Sequence, residues 1–180
     1  MKIAHAPSIH FLNFSVAPMN LFQCDLPVNL IRFWSISILT KPKTTRMTSR
    51  QAACNCGQLH LVCEGEPKRI SICHCLACQR RSGSVFGVQA WFGEEQVVCV
   101  AGTSTEFARI SGVGRSLTFH FCPTCGSTVF WKAEAFPGLV AVAVGAFADP
   151  NFPAPSFSVW ERRRHDWIDH ISEAAIQHSK

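Results

Sequence analysis

Hydrophobic and polar residues alternate over short stretches of the chain after residue 51. Leu59, Leu61 and Cys63 alternate with His60 and Val62, a period of two that is typical of a half-buried β-strand. Four further candidate strands show either this alternation or an apolar run bounded by glycines: 84–92, 97–100, 116–121 and 139–144. The pattern therefore predicts a mainly β domain.

A polar C-terminal tail follows these predicted strands. Three prolines between residues 150 and 155 precede the apolar run 157–160, and because proline cannot donate to a central ladder, we predict an edge strand there. Residues 162–180 are mostly polar and leave room for one short helix through Trp167, Ile168 and Ile171.

The first 46 residues differ in composition from the rest. All eleven glycines lie at or after Gly57, and residues 1–46 contain four prolines and no sustained hydrophobic period. We therefore expect a leader over 1–46 that is disordered or a mis-assigned upstream extension, with a targeting segment as the alternative. A length of 180 residues then suits one folded domain over 47–180.

Composition and charge limit the classes of function. Hydrophobic residues make up 47% of the chain, yet no segment approaches the roughly 20 apolar residues of a membrane span. The net charge of +5 comes from residues 1–50, where six basic residues face one acidic residue, because the remainder carries eleven of each sign. A nucleic-acid surface would need its basic residues on the folded part. Membrane insertion is therefore excluded and nucleic-acid binding is disfavoured.

Seven of the ten cysteines stand in three clusters. Thiolates two or three residues apart on a tight turn can converge on one soft cation, and a following glycine lets the turn close. A disulfide set is the alternative, but residues two apart rarely meet disulfide geometry. The clusters are therefore interpreted as zinc ligands. They are Cys54-Asn55-Cys56-Gly57, Cys73-His74-Cys75-Leu76-Ala77-Cys78 and Cys122-Pro123-Thr124-Cys125-Gly126.

The count of seven clustered cysteines indicates two zinc ions with different roles. A closed structural site uses four thiolates, whereas a site that keeps a position for water or substrate uses three protein ligands. Cys73, Cys75 and Cys78 could hold one ion on a single loop with an open face. The two outer pairs would then form a closed site that ties the start of the domain to its middle. Spacing alone leaves the pairing of the clusters open.

Two histidines and two arginines accompany the cysteines. His74 and His120 compete for a fourth position at the open site, but strand alternation turns His74 away from the metal. We expect both histidines to be solvated or hydrogen-bonded and leave them out of the ligand set. Arg80 and Arg81, next to the open cluster, would either receive an anionic substrate group or form a solvated charge pair.

The order of these motifs resembles that of the glutathione-dependent formaldehyde-activating enzyme family, which includes the centromere protein V type domain. The resemblance extends over residues 50–170. It rests on Cys54-x-Cys56-Gly57, Cys73-His74-Cys75-x-x-Cys78-x-Arg80-Arg81-Ser82-Gly83 and Phe121-Cys122-x-x-Cys125-Gly126-Ser127. It implies a single zinc-stapled β domain of the β-tent type. By the family's pattern, a structural zinc is bound by Cys54, Cys56, Cys122 and Cys125, and a catalytic zinc by Cys73, Cys75 and Cys78.

The resemblance also implies an activity, the condensation of formaldehyde with glutathione to S-(hydroxymethyl)glutathione, which is a carbon–sulfur lyase reaction run in reverse. We therefore expect a zinc-dependent carbon–sulfur lyase-type enzyme whose partners are a small-molecule thiol and an aldehyde. The chain has no tyrosine, so His74, His120 or a water would move the proton.

A second hypothesis is a non-catalytic zinc-binding interaction module, because the metal motif identifies the scaffold better than the substrate. A fourth protein ligand at the second zinc would favour that module, and an exchangeable open position would favour the enzyme. In either case the thiolates must stay reduced to bind metal, so we expect a cytoplasmic location.

Overall fold

Ten strands and one α-helix make up the described part of the chain. The computed structural model describes residues 48–170, so the predicted leader over 1–46 lies outside it. The elements are β1 (Ser49–Ala53), β2 (His60–Glu64), β3 (Arg69–Cys73), α1 (Leu76–Ser82), β4 (Gly87–Gly93), β5 (Val97–Ala101), β6 (Thr105–Ile110), β7 (Ser116–Phe121), β8 (Thr128–Ala133), β9 (Leu139–Ala143) and β10 (Phe157–Val159).

The strands form two sheets. Strands β1, β2 and β5 make a three-stranded sheet, and the other seven make a second sheet in the order β10-β3-β4-β9-β8-β7-β6. Neighbours in the larger sheet are antiparallel except β10 and β3, which run parallel. The prediction of a mainly β domain is therefore confirmed. The run after the prolines also forms an edge strand, as expected.

The main hydrophobic core lies between the two sheets. Leu61 of the smaller sheet and Phe92 and Val142 of the larger one are fully buried in one cluster, and burying each such side chain contributes roughly 1.5–3 kcal/mol. Alternation along β4 turns Trp91 to the opposite face of the larger sheet, where it packs in a second cluster that includes Trp131. Helix α1 lies over this second face, since its Arg81 side chain covers the Trp131 ring.

The C-terminal tail differs from the prediction in its described part. Two 3₁₀-helices, Glu161–Arg163 and Asp166–His170, take the place of the expected short helix. Trp167 is 52% exposed, so this segment has no buried apolar side that would stabilise a longer helix. Ile171 lies outside the described residues. No helix within residues 48–170 has the length and hydrophobicity needed to cross a membrane.

Candidate active site

Four cysteine sulfurs from two distant turns meet between the sheets. Cys54 and Cys56 follow β1, and Cys122 and Cys125 connect β7 to β8. All four sulfur atoms lie within 4.8 Å of one another. The Cys54 and Cys56 sulfurs are 3.5 Å apart, and those of Cys56 and Cys122 are 3.6 Å apart. This four-cysteine cluster links the start of the smaller sheet to the larger sheet.

Both turns of the four-cysteine cluster end on a glycine in the left-handed conformation. Gly57 has φ of 79° and Gly126 has φ of 74°, values that glycine adopts without the steric cost a Cβ would bring. The Gly57 amide donates to the Cys54 carbonyl over 2.9 Å, and the Gly126 amide donates to the Cys122 carbonyl over 2.8 Å. These bonds close each turn with its sulfur atoms on one side.

Neutral hydrogen-bond donors surround the sulfurs of the four-cysteine cluster. Gln58 Nε2 donates to Cys122 Sγ over 2.8 Å, and the Leu59 amide donates to Cys54 Sγ over 3.3 Å. Hydrogen bonding to Ser127 lowers the pKa of Cys125 to about 5. Such donors favour the thiolate, the form that binds metal.

A second group, the three-cysteine cluster, stands at the junction of β3 and α1. Cys73 ends β3, Cys75 is the N-cap residue of α1 and Cys78 lies in its first turn. Their sulfurs lie within 4.8 Å of one another, and the Cys78 amide donates to Cys75 Sγ over 3.4 Å. The close spacing of the three cysteines predicts a single loop here. A strand end and a helix start instead hold the sulfurs, because the cap fixes Cys75 against the first helical turn.

Ionisation in the three-cysteine cluster is centred on Cys75. Hydrogen bonds from the Cys73 and Cys78 thiols lower the pKa of Cys75 most, and the backbone amides of Cys78 and Ala77 add to this effect. The same interaction raises the pKa of Cys73. The Cys75 thiolate is thus stabilised by the thiols of Cys73 and Cys78. A bound cation would replace this stabilisation.

Both clusters fit a zinc ion. Zn–S bonds of about 2.3 Å place neighbouring sulfurs of a tetrahedron about 3.8 Å apart, close to the 3.5 and 3.6 Å found between sulfurs in the four-cysteine cluster. The three-cysteine cluster has the same soft donor atoms but one fewer of them. Within residues 48–170, no histidine or carboxylate joins either cluster as a further ligand.

Both histidines were expected to be solvated or hydrogen-bonded, but both are buried and the Nδ1 atom of each has no hydrogen-bond partner. His74 is 1% exposed, with no partner for its Nδ1 atom, and contacts Phe86 edge-on. His120 is 8% exposed and stacks on Phe130 with ring centroids 4.3 Å apart. Phe130 belongs to the core between the sheets, so His120 faces away from α1.

A cleft of about 450 Å³ lies between α1 and the second face of the larger sheet, within the size range of small-molecule sites. Arg80 and Arg81 of α1 line it together with Phe107 and Arg109 of β6 and Phe119 of β7. Its lining has three guanidinium groups and, among residues 48–170, no carboxylate. The cleft is therefore suited to an anionic small molecule that also carries apolar groups.

The structure separates the two arginines that the sequence analysis treated together. Arg80 is exposed, whereas Arg81 is partly buried with its Nε atom fully enclosed. Phe107 and Arg109 are additional lining residues that the sequence analysis did not identify. Their only signal is the two-residue spacing that places them on one side of β6.

Comparisons with known proteins cover most of the described domain. The family model described as glutathione-dependent formaldehyde-activating enzyme matches residues 49–163. Among solved structures, a crystal structure of a Rhodobacter sphaeroides protein is similar, with 19% identity, a TM-score of 0.44, and coverage of 60% of this chain and 98% of that chain. Comparison with curated proteins finds no significant match. Because the family match spans well over half of its residues, the chain belongs to the glutathione-dependent formaldehyde-activating enzyme family.

Proposed function

We propose that this protein is a zinc-dependent enzyme that forms or breaks the carbon–sulfur bond between a thiol and an aldehyde, with glutathione and formaldehyde as the first pair to test. One observation carries the proposal: the three sulfurs of the three-cysteine cluster converge next to Arg81, which lines the cleft, and no fourth protein ligand joins them within residues 48–170. Three ligands are typical of catalytic zinc sites.

The proposal assigns two zinc ions to the domain over 47–180. Cys54, Cys56, Cys122 and Cys125 would hold the structural ion, and Cys73, Cys75 and Cys78 the catalytic one. When bound at the three-cysteine cluster, zinc supplies a Lewis acid that favours a substrate thiolate or polarises an aldehyde carbonyl. The chain's own residues then have three tasks: to orient the thiol, to bring the two reactants together and to move one proton.

Orientation of the thiol is the task of the cleft. Glutathione carries two carboxylates, and Arg80 and Arg109 line opposite sides of the cleft, on α1 and β6. Arginine pairs with a carboxylate through two parallel hydrogen bonds. Holding the thiol in the cleft, next to the helix that carries Cys78, would replace a bimolecular encounter by a reaction between neighbours.

The proposed reaction is balanced without an oxidant or reductant. The thiol sulfur bonds to the formaldehyde carbon, the carbonyl π bond breaks, and the thiol proton ends on the new hydroxyl oxygen. His120 faces the core between the sheets, which leaves His74 or a water to move this proton. His74 lies between Cys73 and Cys75 in the chain, and its buried Nδ1 atom has no hydrogen-bond partner, so we propose it before water.

The interaction-module hypothesis is less well supported. A closed second site would need a fourth ligand, and neither of the two histidines that could supply it joins the three-cysteine cluster. The charge balance of residues 51–180, with eleven basic and eleven acidic groups, also gives no net positive charge to favour nucleic-acid binding. The requirement for reduced thiols supports a cytoplasmic location.

Exchange NMR tests the proposal directly. The full chain is added to an equilibrium mixture of formaldehyde, glutathione and their adduct, and the interconversion rate is compared with the rate in buffer. Acceleration that disappears in Cys75→Ser supports the enzyme and its open centre together. A wild-type rate equal to that of buffer contradicts glutathione and formaldehyde as substrates.

A further inference from the structure

Two consecutive arginines of α1 have opposite surroundings. Arg80 is exposed, whereas the Arg81 guanidinium covers the Trp131 ring, with its central carbon 4.3 Å from the ring centroid. The same group lies 5.8 Å from the Phe119 ring centroid. Trp131 is itself 3% exposed. A buried aromatic surface thus fixes one guanidinium in place, a contact that is stronger when water is excluded.

The guanidinium of Arg81 is directed at the three-cysteine cluster. It interacts with the Cys78 thiol, and the sulfurs of Cys73 and Cys75 attract it as well. Gly87 makes room for this approach: a Cβ there would lie 2.9 Å from Arg81 Nη2 and 3.8 Å from Cys78 Sγ. Any larger residue at position 87 would therefore push the guanidinium or the ligand cysteine aside.

No carboxylate accounts for this buried charge. None of the ion pairs among residues 48–170 involves Arg81, and its Nε atom has no hydrogen-bond partner. A buried charge needs a partner of opposite sign, since its desolvation is otherwise costly. Among residues 48–170, the sulfurs of the three-cysteine cluster are the groups of suitable charge that interact with Arg81.

A count of charges at the three-cysteine cluster identifies the charge partner of the Arg81 guanidinium. Three thiolates around a divalent ion leave one net negative charge, which a single guanidinium cancels. The four-cysteine cluster differs, because its hydrogen-bond donors are the neutral Gln58 side chain and the Leu59 amide. A positive charge next to one cluster and, within residues 48–170, neutral hydrogen-bond donors at the other indicate that the two metal sites have different electrostatic surroundings.

We infer that Arg81 is a positioning residue that supplies the counter-charge of the three-cysteine centre and is held in place by Trp131. The inference rests on the proposed function, because it requires a metal ion at that centre. It assigns Arg81 to metal binding and leaves Arg80, one residue away, to the cleft.

Zinc affinity tests this inference on the full chain. Wild type, Arg81→Met, Arg81→Lys and Arg80→Met are loaded with zinc and titrated with a chromogenic chelator, which separates a tighter from a weaker ion. Arg81→Met should bind the weaker ion roughly tenfold less tightly or worse, the usual effect of removing an outer partner of a metal site. Arg81→Lys should recover most of that loss, and Arg80→Met should match wild type. Thermal unfolding with only the tighter ion bound measures any loss of packing over Trp131 separately.

The outcomes are distinct. Equal weaker-site affinities in wild type and Arg81→Met overturn the inference. An Arg81→Lys variant as weak as Arg81→Met also overturns it, because packing rather than charge would then explain the loss. A wild-type chain that binds a single zinc ion overturns the proposed two-zinc function itself. This result can be distinguished from the two outcomes that overturn the inference about Arg81.

Discussion

The sulfur atoms of Cys56 and Cys122 lie 3.6 Å apart although the two residues are 66 positions apart in the chain. Cys56 stands in the turn between the edge strand β1 and the central strand β2 of the smaller sheet, and Cys122 in the turn between β7 and β8. A metal ion at this contact would close a long loop and restrict the unfolded chain, as a long cross-link does. The four-cysteine cluster is therefore expected to act on stability and the three-cysteine cluster on chemistry.

Replacing one cysteine of each cluster separates these roles. Cys125→Ser should lower the free energy of unfolding by about 4 kcal/mol, the order expected for a cross-link that closes a loop of this length. Cys75→Ser should remove one zinc and leave a folded protein. Thermal unfolding with parallel zinc analysis measures both effects. Equal losses of melting temperature in the two variants would contradict the assignment of separate roles.

Gly126 closes the turn between β7 and β8, and its replacement is a smaller change at the four-cysteine cluster. Gly126 has φ of 74°, so Gly126→Ala should destabilise the zinc-bound protein by about 1–2 kcal/mol, the cost of a Cβ in the left-handed conformation. Gly145→Ala is the matched control, because no atom lies within 4 Å of a Cβ at that position and its φ is not left-handed. Urea unfolding should place the control near wild type; two similar losses would argue against strain at Gly126.

A period of two identifies strands with one buried face and one more exposed face. Strand β2 alternates strictly between buried and partly buried residues, and it was predicted. Strand β6 is exposed along almost its whole length and β8 is buried at most positions; neither alternates, and both were missed. Periodicity reports contrast between two faces, so β6 and β8 give little signal, whereas the mostly buried strands β4 and β9 were identified as apolar runs bounded by glycines.

The candidate site also has features that sequence spacing reveals and features that depend on tertiary packing. Each cysteine cluster is visible from spacing because its members are neighbours in the chain. The meeting of Cys56 with Cys122, and the placement of Arg109 opposite Arg80, depend on how β6, β7 and α1 pack. Spacing cannot supply those contacts, and only the family resemblance indicated the cysteine pairing.

The buried thiol of Cys63 predicts a pH dependence of stability outside the metal sites. Burial raises the pKa of Cys63 to about 12, whereas a thiol in the unfolded chain ionises near its ordinary pKa of about 8.5. The folded state keeps a proton that the unfolded state loses, so this stabilisation is complete below the unfolded pKa and is lost as pH rises towards 12.

The variant Cys63→Ala isolates this contribution. Between pH 9 and pH 11 the unfolding free energy of wild type should fall more steeply, by up to about 1.4 kcal/mol per pH unit. Urea unfolding at several pH values measures the difference, and groups common to both proteins cancel. Parallel pH profiles would show that the thiol ionises as readily in the folded state.

The last prediction concerns recognition of the thiol substrate in the cleft. Arg109 lines the cleft and packs on Phe119, with its guanidinium carbon 5.4 Å from the ring centroid, and it is remote in sequence from every cysteine of both clusters. Arg109→Ala should raise KM for glutathione roughly fivefold, the effect of losing about 1 kcal/mol from a solvent-accessible ion pair. The value of kcat and the zinc content should change little.

Two comparisons make this result specific to charge recognition. Arg162→Ala removes the same charge from an exposed position outside the cleft lining and should leave KM unchanged. With 2-mercaptoethanol, which has no carboxylate, Arg109→Ala and wild type should show the same KM. An equal rise in KM for both thiols would mean that Arg109 shapes the cleft through its packing on Phe119, and the carboxylate would then be bound elsewhere.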